Sequence, residues 1–173
     1  MSKVYIGLGS NKGDRIGFLH HAISELESDF GITILTLSSI YETKPYGVED
    51  QPNYLNAVIL IETDYTPIEV YHKVKTIEKI VGRTKSERWG EREIDLDIIL
   101  YDSMIYKDDL IEIPHKEYYK RDFVLVPLHE IGNDLIDPIT KQSISEIIEN
   151  LDEKFILKKL ESNLKEKVGG EIV

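Results

Sequence analysis

Apolar positions recur along the chain with two periods, and the switches between them mark out the elements. Residues 3–8 form a short β-rich run ending in Gly7, Gly9 and Asn11, which predicts a strand leaving into a turn. Asp14 then stands where a helix N-cap belongs, and Leu19, Ala22, Ile23 and Leu26 fall at i, i+3, i+4 and i+7, giving one apolar stripe. Residues 32–41 read as a second strand. After a loop punctuated by Pro and Gly, residues 54–63 read as a third, with Leu55, Ala57, Ile59 and Ile61 on one face. Thr66-Pro67-Ile68-Glu69 is a capping box with proline at the first helical position. It opens a helix that packs through Val70, Val74, Ile77 and Val81 and stops at Gly82. From 93 to 101 the period returns to two: Ile94, Leu96, Ile98 and Leu100 alternate with Asp95, Asp97, Ile99 and Tyr101.

This order predicts an α+β fold with a ferredoxin-like βαββαβ core: an antiparallel sheet with two helices on one face, the other face left for further elements or a ligand. Beyond the core, residues 104–113 suggest a small hairpin and residues 124–131 a short helix. Ser143-x-x-Glu146 opens another, so helical additions are expected toward the C-terminus. Residues 1–151 are expected to form one domain. Residues 152–173, rich in both charges, are expected to be a tail forming a surface helix.

Composition narrows the class. A chain of 173 residues with 41% apolar and 31% charged side chains can bury one core. The absence of cysteine excludes disulfides, thiolate nucleophiles and thiolate metal sites, so a metal would need oxygen or imidazole ligands. With 21 basic and 32 acidic residues the net charge is −11, which argues against a broadly basic nucleic-acid surface. No apolar run approaches the roughly 20 residues that cross a bilayer, and the first residues lack the apolar core of a secretory signal. A cytoplasmic protein is the expectation, and its size makes a monomer reasonable. Against the acidic background, Lys73, Lys75, Lys79, Arg83, Lys85, Arg88 and Arg92 cluster, as a pocket for a small polyanion or as a solvated helix face.

The richest stretch is Arg88-Trp89-Gly90-Glu91-Arg92-Glu93-Ile94-Asp95-Leu96-Asp97. On a strand, Asp95 and Asp97 share one face about 7 Å apart along the chain. Two carboxylates so placed can hold Mg²⁺ against phosphate oxygens, and nearby arginines can fork onto the same phosphates. A merely wet strand face is the alternative reading of a bare Asp-x-Asp. Tyr54 and Asn56 also share a face and would suit a flat heterocycle, although an ordinary sheet surface looks the same. His115 and the run Lys120-Arg121-Asp122-Phe123 add a titratable ring, two cations and an aromatic. The cluster Gly7-Leu8-Gly9-Ser10-Asn11-Lys12-Gly13 fits neither the dinucleotide fingerprint nor a P-loop, and reads as a turn.

Taken together, Tyr5-Ile6-Gly7-Leu8-Gly9-Ser10-Asn11, Asp50-Gln51-Pro52-Asn53-Tyr54-Leu55-Asn56, the Arg88–Asp97 string, Pro114-His115 and Arg121-Asp122-Phe123 resemble the 6-hydroxymethyl-7,8-dihydropterin pyrophosphokinases of folate biosynthesis. The likeness runs in order from about residue 3 to 150. It implies transfer of the β,γ-pyrophosphoryl group of ATP to the pterin hydroxymethyl oxygen, with release of AMP. It also implies two Mg²⁺ on Asp95 and Asp97, with Arg83 and Arg92 sharing catalysis. Tyr54 and Phe123 would sandwich the pterin, helped by Asn56, Thr43, Lys44, Tyr46 and Trp89, the last on a closing loop. Glu78, Arg83, Arg92, Ile98, His115 and Arg121 would contact ATP. Glu91, Lys116 and Asp122 depart from the family pattern. Two other readings share the paired aspartates: a Mg²⁺-dependent phosphohydrolase and a non-catalytic nucleotide-sensing module.

Overall fold

The structure is a computed structural model and describes residues 1–86, 88 and 90–165. In chain order it comprises β1 (Ser2–Ser10), α1 (Arg15–Glu27), β2 (Ile32–Leu37), β3 (Ser39–Thr43), β4 (Tyr54–Thr63), α2 (Pro67–Val81), β5 (Asp95–Tyr101), β6 (Tyr106–Lys107), β7 (Glu112–Ile113), α3 (Asp122–Ile131), α4 (Ile144–Glu149) and β8 (Ile156–Asn163). The fold is mixed α/β on an antiparallel sheet of strand order β5-β1-β4-β3-β8, with β2 also paired to β4. The small hairpin expected near 104–113 is β6 with β7, Tyr106 facing Ile113.

Local chemistry sets the helix starts. The Asp14 carboxylate accepts the Gly17 N–H at 3.1 Å, and the Ser143 hydroxyl accepts the Glu146 N–H at 3.1 Å. Thr66 and Glu69 form the reciprocal capping box, and Gly82, at φ 122°, ends α2 in a conformation that disfavours side chains.

Helices cover both faces of the sheet. On one, Leu19, Ala22, Ile23 and Leu26 of α1 and Val70, Val74, Ile77 and Val81 of α2 pack on Ile6, Leu55, Ala57, Ile94, Leu96 and Ile98. On the other, Val124, Leu125 and Leu128 of α3 and Ile144 and Ile147 of α4 pack on Tyr5, Val58, Leu60 and Ile99. Together these apolar surfaces supply most of the favourable burial that holds the layers, at roughly 25 cal/mol per Å² removed from water.

Three expectations are corrected. The strand over 32–41 is broken at Ser38, whose hydroxyl accepts the Val58 N–H at 2.9 Å and whose own N–H donates to the Val58 carbonyl at 3.0 Å. Strict alternation in β5 also fails after Ile98. Ile6 pairs with Ile98 but Tyr5 pairs with Leu100, so a bulge turns Leu100 into the α3–α4 core and Tyr101 into the α1–α2 core. Thirdly, the segment after Asp152 is no surface helix over its described part. Ile156–Asn163 is the outermost strand, paired with β3 from Thr43↔Ile156 to Ser39↔Asn163. Ile156 packs toward the α3–α4 core and Leu160 with buried Leu164 toward the α1–α2 core, because the ladder's register shifts between Glu42 and Thr43. Open hydrogen-bonding groups on β3 outweigh the weak helix preference of a charged run.

Candidate active site

The site forms where β1, β4 and β5 emerge together at one end of the sheet. Gly9 on β1 makes room for it: a Cβ there would lie 2.7 Å from Asn56 Oδ1 and 3.5 Å from Tyr54 Cδ1. Just after the strand, Asn11 is 1% exposed and ties three segments together. Its side-chain amide donates to Gln51 Oε1 at 2.9 Å and the Pro52 carbonyl at 3.1 Å, while its Oδ1 accepts the Arg92 N–H at 2.8 Å. A cavity of about 310 Å³ opens above these residues, within the size range of small-molecule sites.

At its charged end Asp95 and Asp97 enter the cavity from β5, with Ile94 and Leu96 fully buried beneath. Arg83 and Arg92 each stand 3.8 Å from Asp95 Oδ1, and Lys75 stands 3.9 Å from Asp97 Oδ1. Under them lies Glu78, 2% exposed, whose carboxylate accepts from Arg83 at 3.0 Å, Lys75 at 3.2 Å and the Leu96 N–H at 2.7 Å. Burial, with the neighbouring Asp97 charge next, pushes Asp95 up to about 7, beyond what Lys75 and Arg83 offset. Burial alone would lower the Lys75 ammonium, but Asp97, Glu78 and Asp95 outweigh it and raise its pKa.

These observations bear on a metal. Two oxygen-only ligands side by side on one strand face, one of them pushed toward its neutral form, suit a hard divalent cation that completes its shell with phosphate and water. Among the described residues no group of three or more His, Asp or Glu is arranged to enclose an ion. Mg²⁺ bound jointly with a substrate therefore fits better than a resident structural metal. The guanidinium Nε atoms of Arg83 and Arg121 are buried without a hydrogen-bond partner, leaving donors for an anion.

The other end of the cavity is aromatic. Tyr54, Tyr46 and Phe123 line it with Thr43, Lys44 and Asn56. The Asn56 amide donates to Thr43 Oγ1 at 2.8 Å, which fixes the amide orientation. Arg121 lies with its guanidinium carbon 4.8 Å from the Tyr46 ring centre and 5.7 Å from that of Phe123. Burial, and then the Asp95 charge, push the Tyr54 hydroxyl up to about 12, so it stays a neutral phenol.

A second cavity, about 560 Å³, adjoins Asp97 and is lined by Ile98, His115 and Lys75 together with Tyr71 and the β6–β7 hairpin. His115 Nδ1 accepts the Glu117 N–H at 3.1 Å, which leaves Nε2, 4.0 Å from Asp97 Oδ2, to carry the proton of the neutral ring. Burial holds His115 below the ordinary imidazole value.

The family model of 7,8-dihydro-6-hydroxymethylpterin-pyrophosphokinase (HPPK) matches residues 5–133. The chain belongs to that family. Among similar proteins, the 2-amino-4-hydroxy-6-hydroxymethyldihydropteridine pyrophosphokinase of Haemophilus influenzae is 41% identical over 157 residues, covering 90% of this chain and 98% of its own. That of Aquifex aeolicus is 44% identical over 146 residues, covering 84% and 90%. Folic acid synthesis protein fol1 of Schizosaccharomyces pombe is 40% identical over 147 residues, which make up 85% of this chain but 20% of that protein. The HPPK-DHPS of Plasmodium falciparum, solved with pteroate, shares the fold at TM-score 0.69 and 11% identity. There the likeness covers 86% of this chain, which spans less than half of the other, 44%.

Within this HPPK-family chain, most residues singled out in the sequence converge. Thr43, Lys44, Tyr46, Tyr54, Asn56, Arg83, Arg92, Asp95, Asp97, Arg121 and Phe123 line one cavity, and Ile98 and His115 line the next. Glu78 lines neither: its carboxylate accepts from Arg83, Lys75 and the Leu96 N–H beneath the aspartates. Trp89 lies outside the described residues. Of the clustered cations, Lys73 pairs with Asp29 at 2.7 Å away from the site, whereas Lys75, Arg83 and Arg92 face the cavity. The sequence marks Lys75 only as one of the clustered cations, although its position three residues before Glu78 places both on one helix face. It marks Asn11 only as part of a turn, since the partners of that side chain are remote in sequence.

Proposed function

We propose that this chain transfers the β,γ-pyrophosphoryl group of ATP to the hydroxymethyl oxygen of 6-hydroxymethyl-7,8-dihydropterin, giving the pterin diphosphate and AMP in folate biosynthesis. The observation that carries the reading is the junction, in one cavity, of a half-buried carboxylate pair ringed by Arg83, Arg92 and Lys75 with an aromatic end that presents the Asn56 amide. Membership of the HPPK family and the names of the Haemophilus and Aquifex relatives support it.

In this reading the pterin ring lies against Tyr54 and Phe123, and Asn56 reads its edge. The hydroxymethyl oxygen then attacks the β-phosphorus: the new O–P bond forms while the bond from the β-phosphorus to the α,β-bridging oxygen breaks, the hydroxyl proton is released to solvent, and AMP departs with the bridging oxygen. Asp95 and Asp97 would hold Mg²⁺, two ions in the fuller form of the proposal, and the bound metal would neutralise charge on the phosphate oxygens. Arg83, Arg92 and Arg121 present fixed donors to those oxygens, which stabilises the charge spreading during transfer. His115 offers an Nε2 proton from the ATP side, and Ile98 adds apolar surface to the second cavity. Trp89 is assigned to closure over both substrates. Positioning supplies most of the remaining rate, since the reacting atoms must be in line.

The proposal extends to a ferredoxin-like core of β1, α1, β2–β3, β4, α2 and β5, with α3 and α4 as additions, in a monomer of the cytoplasm. Among the described residues no helix is long and apolar enough to cross a membrane. Incubation with ATP, Mg²⁺ and the hydroxymethyldihydropterin tests the reaction. AMP formed only when pterin is present supports transfer. Phosphate released without pterin would point to a hydrolase, and intact ATP to a sensing module.

A further inference from the structure

The segment beyond α4 reaches back to the aromatic end of the cavity. Asp122 is 4% exposed at the start of α3. Its Oδ2 accepts the backbone N–H groups of Phe155 at 2.8 Å and Ile156 at 3.0 Å. From the opposite side, the Lys44 N–H donates to the Phe155 carbonyl at 2.8 Å. Phe155 is thus clamped through its backbone between two segments that carry cavity residues, Phe123 next to Asp122 and Tyr46 shortly after Lys44.

Its ring completes a cluster. Phe155 meets Tyr46 with centroids 5.4 Å apart at 61°, and Phe123 at 5.8 Å and 89°. Tyr46 and Phe123 meet each other at 6.2 Å and 62°. Each pair is edge-on, the arrangement that aromatic quadrupoles favour and that restricts ring rotation. Tyr46 and Phe123 line the cavity, whereas Phe155 stands behind them. Tyr46 sits in a stretch without regular structure, so it depends on such contacts for its orientation.

We propose that Phe155, docked by the Asp122 carboxylate, is a positioning residue for the flat heterocycle: it fixes the Phe123 and Tyr46 rings that receive it. The inference rests on the pterin reading above. A tail that served only to extend the sheet would need no aromatic residue here, because the β3–β8 ladder begins at Ile156 and Phe155 contributes only its backbone to the clamp.

Binding of the hydroxymethyldihydropterin, measured by its fluorescence with Mg²⁺ and a nonhydrolysable ATP analogue at saturation, tests it on the full chain. Phe155→Ala should raise the pterin Kd about fivefold, the value of one to two aromatic edge contacts, and leave the Kd of the ATP analogue unchanged. Phe155→Leu keeps apolar volume without a ring; it should keep the melting temperature yet show the same pterin-only loss, while Phe155→Tyr should restore affinity. A normal pterin Kd in Phe155→Leu, or equal loss of both ligands in Phe155→Ala, would overturn the inference. If the unaltered protein binds no pterin, the functional reading itself fails. Pterin binding that is the same with and without the ring at 155 overturns this inference alone.

Discussion

Asn11 and Arg92 hold each other by two reciprocal hydrogen bonds: the Asn11 N–H donates to the Arg92 carbonyl at 3.0 Å, and the Arg92 N–H donates to Asn11 Oδ1 at 2.8 Å. The end of β1 thereby fixes the backbone from which Arg92 reaches toward Asp95. Asn11→Ala removes one of these bonds and both links to the 51–52 loop, so it should lower turnover about tenfold or more and cost about 2 kcal/mol of stability. Asn11→Asp retains the acceptor for Arg92 and should keep more activity than the alanine variant. Steady-state kinetics and thermal unfolding of the two variants check this, and equal activity in both would reject the Arg92 link.

Asp95 gives a pH-dependent expectation whose sign is fixed by its raised value. Below the ordinary aspartate range the group is protonated whether folded or not and contributes nothing. As pH rises toward about 7 the unfolded chain ionises it freely while the folded chain resists, so stability is lost through that window. Asp95→Asn should therefore stabilise the metal-free protein above pH 7, by roughly 2 kcal/mol after allowance for the open cavity and the lost attraction of Arg83 and Arg92, and by little near pH 4. The same variant should form AMP more than about a hundredfold more slowly. Melting curves at the two pH values, beside the transfer assay, measure both effects.

Tyr54→Ala and Phe123→Ala should weaken pterin binding about tenfold while changing ATP affinity far less, because each removes stacking area at the aromatic end only. Calorimetric titration with each ligand separates the two effects; parallel losses would reject the sandwich.

Gly9→Ala tests the close approach of β1 to β4. The new methyl would lie 2.7 Å from Asn56 Oδ1, so Asn56 must move and its bond to Thr43 Oγ1 must lengthen or break. Pterin affinity should fall about tenfold with the fold preserved, as followed by circular dichroism and ligand titration.

The residues that could be read from the chain share a physical property: their neighbours in space are neighbours in sequence. Asp95 and Asp97, or Tyr54 and Asn56, are brought to one face by the two-residue period of a strand, and Thr66 with Glu69 by one turn of helix. The mixed α/β class with an antiparallel sheet followed from the same periodicities. The ring of Phe155 behind Phe123, the Asn11 staple and the burial of Glu78 rest on contacts spanning 18 to 81 positions, for which no local pattern exists. Leu100 leaves the face that strict alternation gives it because a bulge shifts the register after Ile98, and the pairing of residues 156–163 with β3 has no counterpart in the charge pattern of that segment.

The outermost strand also has a bearing on solubility. Without β8, the backbone N–H and C=O groups of β3 would form an open rim, ready to pair with another copy of the chain or with any extended peptide. With β8 in place that rim is occupied, and the new outer strand displays Lys158 and Lys159, exposed charges that discourage further strand addition. The last described strand thus guards the protein against self-templated aggregation as well as finishing its sheet.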